Sequence, residues 1–303
     1  MKENIYIRHP FYVESDIPVF SKVDNYVRNY ESISEDHLNS VRVYGVNPFM
    51  QQGQIDESEN ETRLMVRKHV DIGATILDAG VGLGGLFSDL EEYDRYGVDI
   101  SLHYLEEANS KGIKVAMAKL EELPYRDGYF DAVVSCDVLE HVLKLDSAVE
   151  QLIRVLKTNG KLIIRVPNEE NLESYLTDLQ PYTHMHVRDF SLSSLQLYME
   201  KCHDLECIDH KLIGYQFNSF SQIKYKLPKM KSRLRPHFES FFEKNSDRFN
   251  SYEKSIISNL VQSTYEELGD ILIKIRDEMP DFLKVIAPEI ITPLELLMVF
   301  QRQ

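Results

Sequence analysis

Ile76-Leu77-Asp78-Ala79-Gly80-Val81-Gly82-Leu83-Gly84-Gly85 is the stretch that decides the fold. Thr75–Ala79 reads as a buried strand, and the residues after Gly84 open a helix. Four glycines in six positions lie between them. Glycine costs backbone entropy, so such a cluster points to a sharp turn and to close approach of the main chain to a ligand. Gly80, Gly82 and Gly85 meet the G-x-G-x-x-G spacing of a nucleotide-binding strand–helix turn. Asp99, at the end of the next strand, stands at the distance expected of a residue that holds ribose hydroxyls. Its alternative role is to cap the helix that begins at Ser101.

Outward from that loop, short β-branched runs alternate with helical segments. The runs are Thr75–Ala79, Arg95–Asp99, Lys114–Ala118, Ala132–Cys136 and Lys161–Val166. Gly84–Tyr93, Leu102–Ser110, Ser147–Leu156 and Leu192–Cys202 carry apolar residues at helical spacing. Residues 204–216 read as a further strand, and Glu295–Gln301 as a last one. Short connections of this kind predict an α/β fold. The expected form is a Rossmann-like doubly wound sheet, mostly parallel with a final antiparallel strand, plus a helical insertion. Four segments are expected: an N-terminal cover over 1–58, a core over 59–217, a helical insertion or lid over 218–290, and the last core strand over 291–303. Within the cover, a helix is expected around Asp16–Tyr30 and an acidic loop at Asp56–Glu61.

Composition narrows the class of function. The chain has 303 residues and a formal charge of −15, which repels phosphate backbones and disfavours bulk nucleic acid as a partner. No apolar run reaches the length that spans a bilayer, and the N-terminal residues lack the apolar segment of a signal peptide. Three cysteines (Cys136, Cys202 and Cys207) are too few and too irregular for a disulfide framework. A cytoplasmic protein with free thiols is therefore expected.

Four blocks in order resemble the class I S-adenosylmethionine-dependent methyltransferases, in the group that includes ubiquinone-pathway, sugar and other small-molecule enzymes. They are Leu77–Gly84, Tyr96–Ser101, Leu123–Val133 with Val138-Leu-Glu-His-Val142, and Arg154–Leu162 with Val166-Pro-Asn168. The resemblance covers about residues 60–216. It implies that Asp78, Gly80, Gly82, Gly84, Asp99, Ile100, Leu120 and Asp137 bind S-adenosylmethionine, with the Asp99 carboxylate on both ribose hydroxyls. One position departs from the family pattern. Where the group places an acid for the adenine amino group, this chain has Lys119, so Glu121 or the Leu120 backbone must serve. The rival cofactor reading is an NAD(P)-dependent oxidoreductase, against which the Leu123–Val133 and Val138–Val142 blocks count, as does the lack of a recognisable Tyr-x-x-x-Lys pair after the fourth strand. The rival functional reading is a non-catalytic cofactor-binding partner protein.

Ligands of an open α/β sheet lie beyond the carboxyl ends of its strands. His141, His184 and His186 follow the fourth and fifth strands and are the candidate catalytic bases for methyl transfer. His141 is alternatively a packing or capping residue at a helix start. Asp137, Glu140, His141 and either His184 or His186 resemble the divalent-metal site of some ubiquinone-pathway and small-RNA O-methyltransferases. The competing reading is that Asp137 and Glu140 favour a helix N-terminus and that no metal binds.

Transfer to a small-molecule oxygen is expected rather than to nitrogen, because histidine bases suit a hydroxyl. Lys224, Lys226, Lys229, Lys231, Arg233 and Arg235 form a basic stretch. It suits an anionic or sugar-linked substrate, or simply pairs with the chain's own acids. The apolar stripe of Tyr252–Met279 packs on the parent domain or forms a homodimer surface. Phe11, Tyr12, Phe20, Tyr26 and Tyr30 wall the acceptor pocket or serve as packing.

Overall fold

The computed structural model describes residues 5–45, 47–49, 52–170, 172–176, 185–217, 251–252, 255–256, 271, 274–275, 278–279 and 291–303. In chain order the elements are β1 (Tyr12–Glu14), β2 (Ile17–Val19), α1 (Asn25–Tyr44), α2 (Gln52–His69), β3 (Thr75–Ala79), α3 (Gly85–Ser88), β4 (Asp94–Asp99), α4 (Leu102–Ser110) and β5 (Lys114–Met117). There follow β6 (Phe130–Cys136), α5 (Leu145–Val155), β7 (Leu156–Pro167), α6 (Leu192–His203), β8 (Leu205–Phe217) and β9 (Ile291–Arg302). Met1–Gly214 with Leu294–Gln303 form one compact unit, and Tyr215–Pro293 a second. In the second, the described turns at 251–252, 255–256, 271, 274–275 and 278 are helical, with Ile256 and Ile275 buried. The basic stretch from Lys224 to Arg235 lies outside the described residues.

The sheet order is β1-β2-β5-β4-β3-β6-β7-β9-β8. From β2 through β5, β4, β3 and β6 to β7 the pairings are parallel, and β9 runs antiparallel to β7. This is the expected Rossmann-like sheet, and its order reverses between β3 and β6. Both faces are covered, which explains the unbroken apolar runs. Leu77, Val133, Leu162 and Ile164 face one core layer with Ala148, Val149 and Leu152 of α5. Ile76, Ala132, Val134 and Ile163 face the other with Met65 and Val66 of α2 and Leu105 of α4. Each fully buried Leu, Ile or Val among them contributes roughly 1.5–3 kcal/mol.

Three local readings are corrected. Asp16–Tyr30 is not a helix. Ser15 and Asp16 take φ of 48° and 64° and turn β1 back on β2. Pro18 lies inside β2, where it cannot donate to a helix, and the helix starts only after Asp24, whose carboxylate accepts the Val27 N–H at 3.1 Å. Asp56–Glu61 is not a loop but part of α2, because Ser58, Thr62, Met65 and Val66 recur on one buried face. Gly84–Tyr93 is helical only over Gly85–Ser88. Leu90 and Tyr93 are still buried there, from a turn rather than a helix.

Candidate functional site

The site lies at the carboxyl ends of β3, β4, β6 and β7, around the point where strand order reverses. Gly80 (φ 98°), Gly82 (φ 48°) and Gly84 (φ 73°) all take left-handed backbone. A Cβ on Gly80 would stand 2.1 Å from Cγ2 of Val138, so β3 and the loop after β6 approach too closely for any side chain. A Cβ on Gly82 would meet nothing within 4 Å, which leaves open space beside the main chain. Asp99 faces that loop. Its Oδ2 accepts the Gly82 N–H at 3.0 Å and its Oδ1 the Ser101 N–H at 3.0 Å. Burial pushes the Asp99 pKa up to about 6, with the backbone amides of Ser101 and Gly82 opposing the rise. Each oxygen keeps a lone pair for a hydroxyl. The capping of α4 falls instead to the Ser101 side chain, which accepts the Tyr104 N–H.

Asp78 lies deeper on β3, 2% exposed, with no hydrogen-bond partner for Oδ1 among the described residues. Burial raises its pKa well above the ordinary carboxylate range, and the Arg165 charge opposes that. Ile100 is half-buried against the core layer of α2 and α4. Leu120 is buried and begins a 3-10 turn over Leu120–Glu122. The Lys119 ammonium bonds Asp24 at the start of α1, which takes it out of contention as an adenine partner.

The N-terminal cover divides in two. Phe20 is fully buried in the core beside Tyr6, with ring centroids 4.7 Å apart, and Phe11 and Tyr12 are exposed. Tyr26 and Tyr30 reach the site. The Tyr26 hydroxyl donates to the His141 carbonyl at 3.3 Å, and the Tyr30 ring stands edge-on to the His141 ring at 5.8 Å. Glu31, one residue on, accepts the Leu102 N–H at 2.8 Å and the Ser101 hydroxyl at 3.0 Å. Helix α1 thus bridges from the Asp99 side of the site to the His141 side.

Asp137 follows β6 in left-handed backbone (φ 56°), and its carboxylate is taken up by Arg165 of β7 at 2.5 Å. The Arg165 guanidinium also donates to Thr62 Oγ1 at 3.0 Å and lies 3.4 Å from Glu295. Glu295 reaches this edge because β9 is antiparallel, which sets it opposite Pro167.

Val138–Val142 is a turn, and α5 begins only at Leu145, so neither His141 nor the acids before it sit at a helix start. Glu140 is 1% exposed, and neither carboxylate oxygen has a hydrogen-bond partner among the described residues. Two imidazoles flank it: Nε2 of His141 is 3.8 Å and Nε2 of His186 is 4.0 Å from Oε1. The two rings lie edge to face at 4.5 Å. Burial raises the Glu140 pKa well above its ordinary value, and the Asp137 charge adds to it. Burial, then His186, lowers that of His141 to about 4. One donor atom from each of Glu140, His141 and His186 falls within 4.8 Å of the others, a mixed carboxylate–imidazole set that suits a divalent cation. His184 lies outside the described residues.

Sequence reading missed Glu170, Tyr175, Arg165 and Arg188. His186 Nδ1 bonds the Glu170 carboxylate, and the Tyr175 hydroxyl donates to its other oxygen at 2.8 Å. Arg188 donates to the carbonyls of Leu139 and Val142 and so fixes the turn that carries Glu140 and His141.

Residues 77–164, which carry the glycine loop, Asp99, Glu140 and His141, match a family model described as a methyltransferase domain. This segment is a class I S-adenosylmethionine-dependent methyltransferase domain. Among curated proteins, the chain is 32% identical over 125 residues to an uncharacterised protein of Methanocaldococcus jannaschii, covering 40% of this chain and 55% of that one. It is 34% identical over 122 residues to the Arabidopsis thaliana tRNA (carboxymethyluridine(34)-5-O)-methyltransferase, covering 39% of this chain and 30% of that one. The chain thus spans about half the length of these curated relatives, or less. A solved structure of Haemonchus contortus phosphoethanolamine N-methyltransferase 2 shares the fold. Its TM-score is 0.50 at 18% identity, over 93% of this chain and 61% of that one. The methyltransferase domain contains the open space at Gly82, the two-oxygen carboxylate of Asp99 and the Asp78 Oδ1 that has no partner among the described residues, and these fit an adenosyl cofactor with a cationic amino acid end. No helix among the described residues is long and apolar enough to cross a membrane.

Proposed function

We propose that the chain methylates a hydroxyl oxygen of a small-molecule acceptor at a centre built from Glu140, His141 and His186. The observation that carries this is the Glu140 carboxylate, buried and without a hydrogen-bond donor among the described residues, between two imidazoles. Ionising that carboxyl without a partner costs several kcal/mol, which its raised pKa reflects, and a bound cation would offset the cost. In this reading the two histidines are ligands rather than free bases.

S-adenosylmethionine supplies an electrophilic methyl group on a sulfonium, and a divalent cation would lower the pKa of an acceptor hydroxyl. Gly80, Gly82 and Gly84 let the main chain pass against the cofactor, Asp99 orients its ribose, and Ile100 and Leu120 line its adenosine side. Asp78 faces its cationic end, and Arg165 holds Asp137 beside that end. Tyr26 and Tyr30 wall the acceptor side and exclude water from the transfer. The acceptor oxygen bonds the methyl carbon as the carbon–sulfur bond breaks, its proton leaves to solvent, and S-adenosylhomocysteine is released.

The formal charge of −15 supports a small acceptor over a polynucleotide. The Arabidopsis relative's name describes transfer to oxygen, on tRNA. Labelled methyl transfer to hydroxylated small molecules and to bulk tRNA, with and without chelator, tests the reading. Activity on small hydroxyl acceptors that chelator abolishes and magnesium restores is expected; transfer to tRNA alone overturns it. The Glu170–His186 pair favours a second reading, in which His186 takes the acceptor proton and full activity survives chelator.

A further inference from the structure

Glu170 is half-buried, and its carboxylate meets the Tyr175 hydroxyl and the His186 ring. We infer that it is a positioning residue, which holds His186 as the Nδ1–H tautomer so that a bare Nε2 faces Glu140. The inference rests on the reading of Glu140, His141 and His186 as the reactive centre.

An ionised carboxylate can only accept, so the nitrogen it meets must carry the proton. Glu170 meets Nδ1 of His186, which leaves Nε2 as the lone-pair nitrogen, 4.0 Å from Glu140 Oε1. Tyr175 fixes the carboxylate, and two further hydrogen bonds fix the backbone that carries it. The Tyr175 hydroxyl donates to Oε1 at 2.8 Å, and the Tyr175 ring lies 5.2 Å from the His186 ring. The Glu170 N–H donates to Asp189 Oδ1 at 2.7 Å. The preceding Glu169 N–H donates to the Phe190 carbonyl at 2.7 Å. From the other side, the Val187 N–H donates to the Glu140 carbonyl at 2.9 Å, so the segment bearing His186 is clamped between Glu140 and residues 169–170. A carboxylate behind an imidazole whose far nitrogen faces a second acid is the arrangement that orients a ligating histidine. The same tautomer would suit a proton acceptor, so the inference survives either fate of the cation.

The test uses the full-length protein with 15N-labelled histidine, and the variants Glu170→Met and Tyr175→Phe. Proton–nitrogen correlation spectra read the tautomer of His186, assigned by its loss in His186→Asn, and Co2+ titration by calorimetry and visible absorption reads the centre. The expected wild-type signal is a protonated Nδ1 with bare Nε2. Glu170→Met should lose that pattern and weaken Co2+ binding by about 10–100-fold, with Tyr175→Phe intermediate. An unchanged tautomer in folded Glu170→Met overturns the inference. A wild-type protein that binds no Co2+ overturns the cation reading alone, since the tautomer is still read. Should Glu170→Met not fold, Tyr175→Phe carries the test, and wild-type behaviour in both spectra and titration sinks the idea.

Discussion

The carboxylate of Asp99 accepts the backbone N–H of Gly82 at 3.0 Å, so the end of β4 and the glycine loop after β3 are held as one unit. The same side chain accepts from Ser101 at 3.0 Å, which ties the unit to the start of α4. An asparagine there keeps the shape but offers one accepting atom where the carboxylate offers two. Asp99→Asn should therefore weaken S-adenosylhomocysteine binding by about 10–100-fold, the loss of a charge-assisted hydrogen bond worth roughly 1.5–3 kcal/mol. Calorimetric titration checks this, and an affinity within threefold of wild type would remove Asp99 from the site.

The same carboxylate makes binding depend on pH. Burial lifts its pKa to about 6 in the ligand-free protein. With the folded value above the unfolded one, the ligand-free fold is stabilised below the unfolded value and loses that contribution as pH rises through about 6. Ligand binding runs the other way, because only the charged form accepts from two hydroxyls. Affinity for S-adenosylhomocysteine should fall by about tenfold from pH 7 to pH 5 in the wild type and stay flat in Asp99→Asn. A parallel fall in both proteins would assign the effect elsewhere.

Glu140 gives a prediction of opposite sign for stability and function. Its oxygens are buried and accept no hydrogen bond among the described residues. Glu140→Gln replaces a carboxyl whose ionisation the buried site opposes, so the ligand-free protein in chelator should melt at least as high as wild type. Co2+ should stabilise the wild type and leave Glu140→Gln unmoved. Loss of stability in chelator would mean that the carboxylate has a partner in the resting protein.

Gly80 is constrained twice over, by φ of 98° and by Val138 Cγ2 at 2.1 Å from where a Cβ would sit. Gly80→Ala should destabilise by about 2–4 kcal/mol, from backbone strain plus overpacking. Adding Val138→Ala should return the overpacking share and not the strain. Urea melts of the three variants separate the two, and a double variant no better than Gly80→Ala would leave strain as the whole cost.

How much of this was legible depended on whether the cause was local. Thr75–Ala79 and Leu102–Ser110 fall where the sequence pattern sets them, because burial on both faces and a serine cap are written into adjacent residues. The β1–β2 turn was not legible, since Ser15 and Asp16 adopt left-handed backbone without a glycine to announce it. The acids of Asp56–Glu61 looked like a loop until Arg63 was placed to pair with Glu59, four residues back. Of the site, the glycine loop, Asp99 and His141 stood in contiguous motifs. Glu170 and Arg165 did not. Their partners are His186 and Glu295, brought to them only by chain reversal and strand pairing.

Arg165 carries the last prediction. It sits on β7 next to β6, with Cys136 as its register partner, and so meets Asp137 directly. The antiparallel β9 brings Glu295 to its other side. Burial lowers the readiness of Arg165 to stay charged, but the Asp137 charge and its neighbours outweigh that and hold it protonated. Arg165→Met is close in volume and cannot compensate either acid. The buried Glu295 and the half-buried Asp137 would then lack a countercharge; truncating one side of a fully buried pair costs about 3–5 kcal/mol, and solvent at Asp137 lowers that here. Most of that loss is the stranding of the acids rather than the worth of the pair. Arg165→Met combined with Asp137→Asn and Glu295→Gln should therefore recover most of the stability that Arg165→Met loses. Urea denaturation at pH 7 reads both variants. If the triple variant is no more stable than the single one, Arg165 stabilises β7 by packing and hydrogen bonding rather than by neutralising the acids around it.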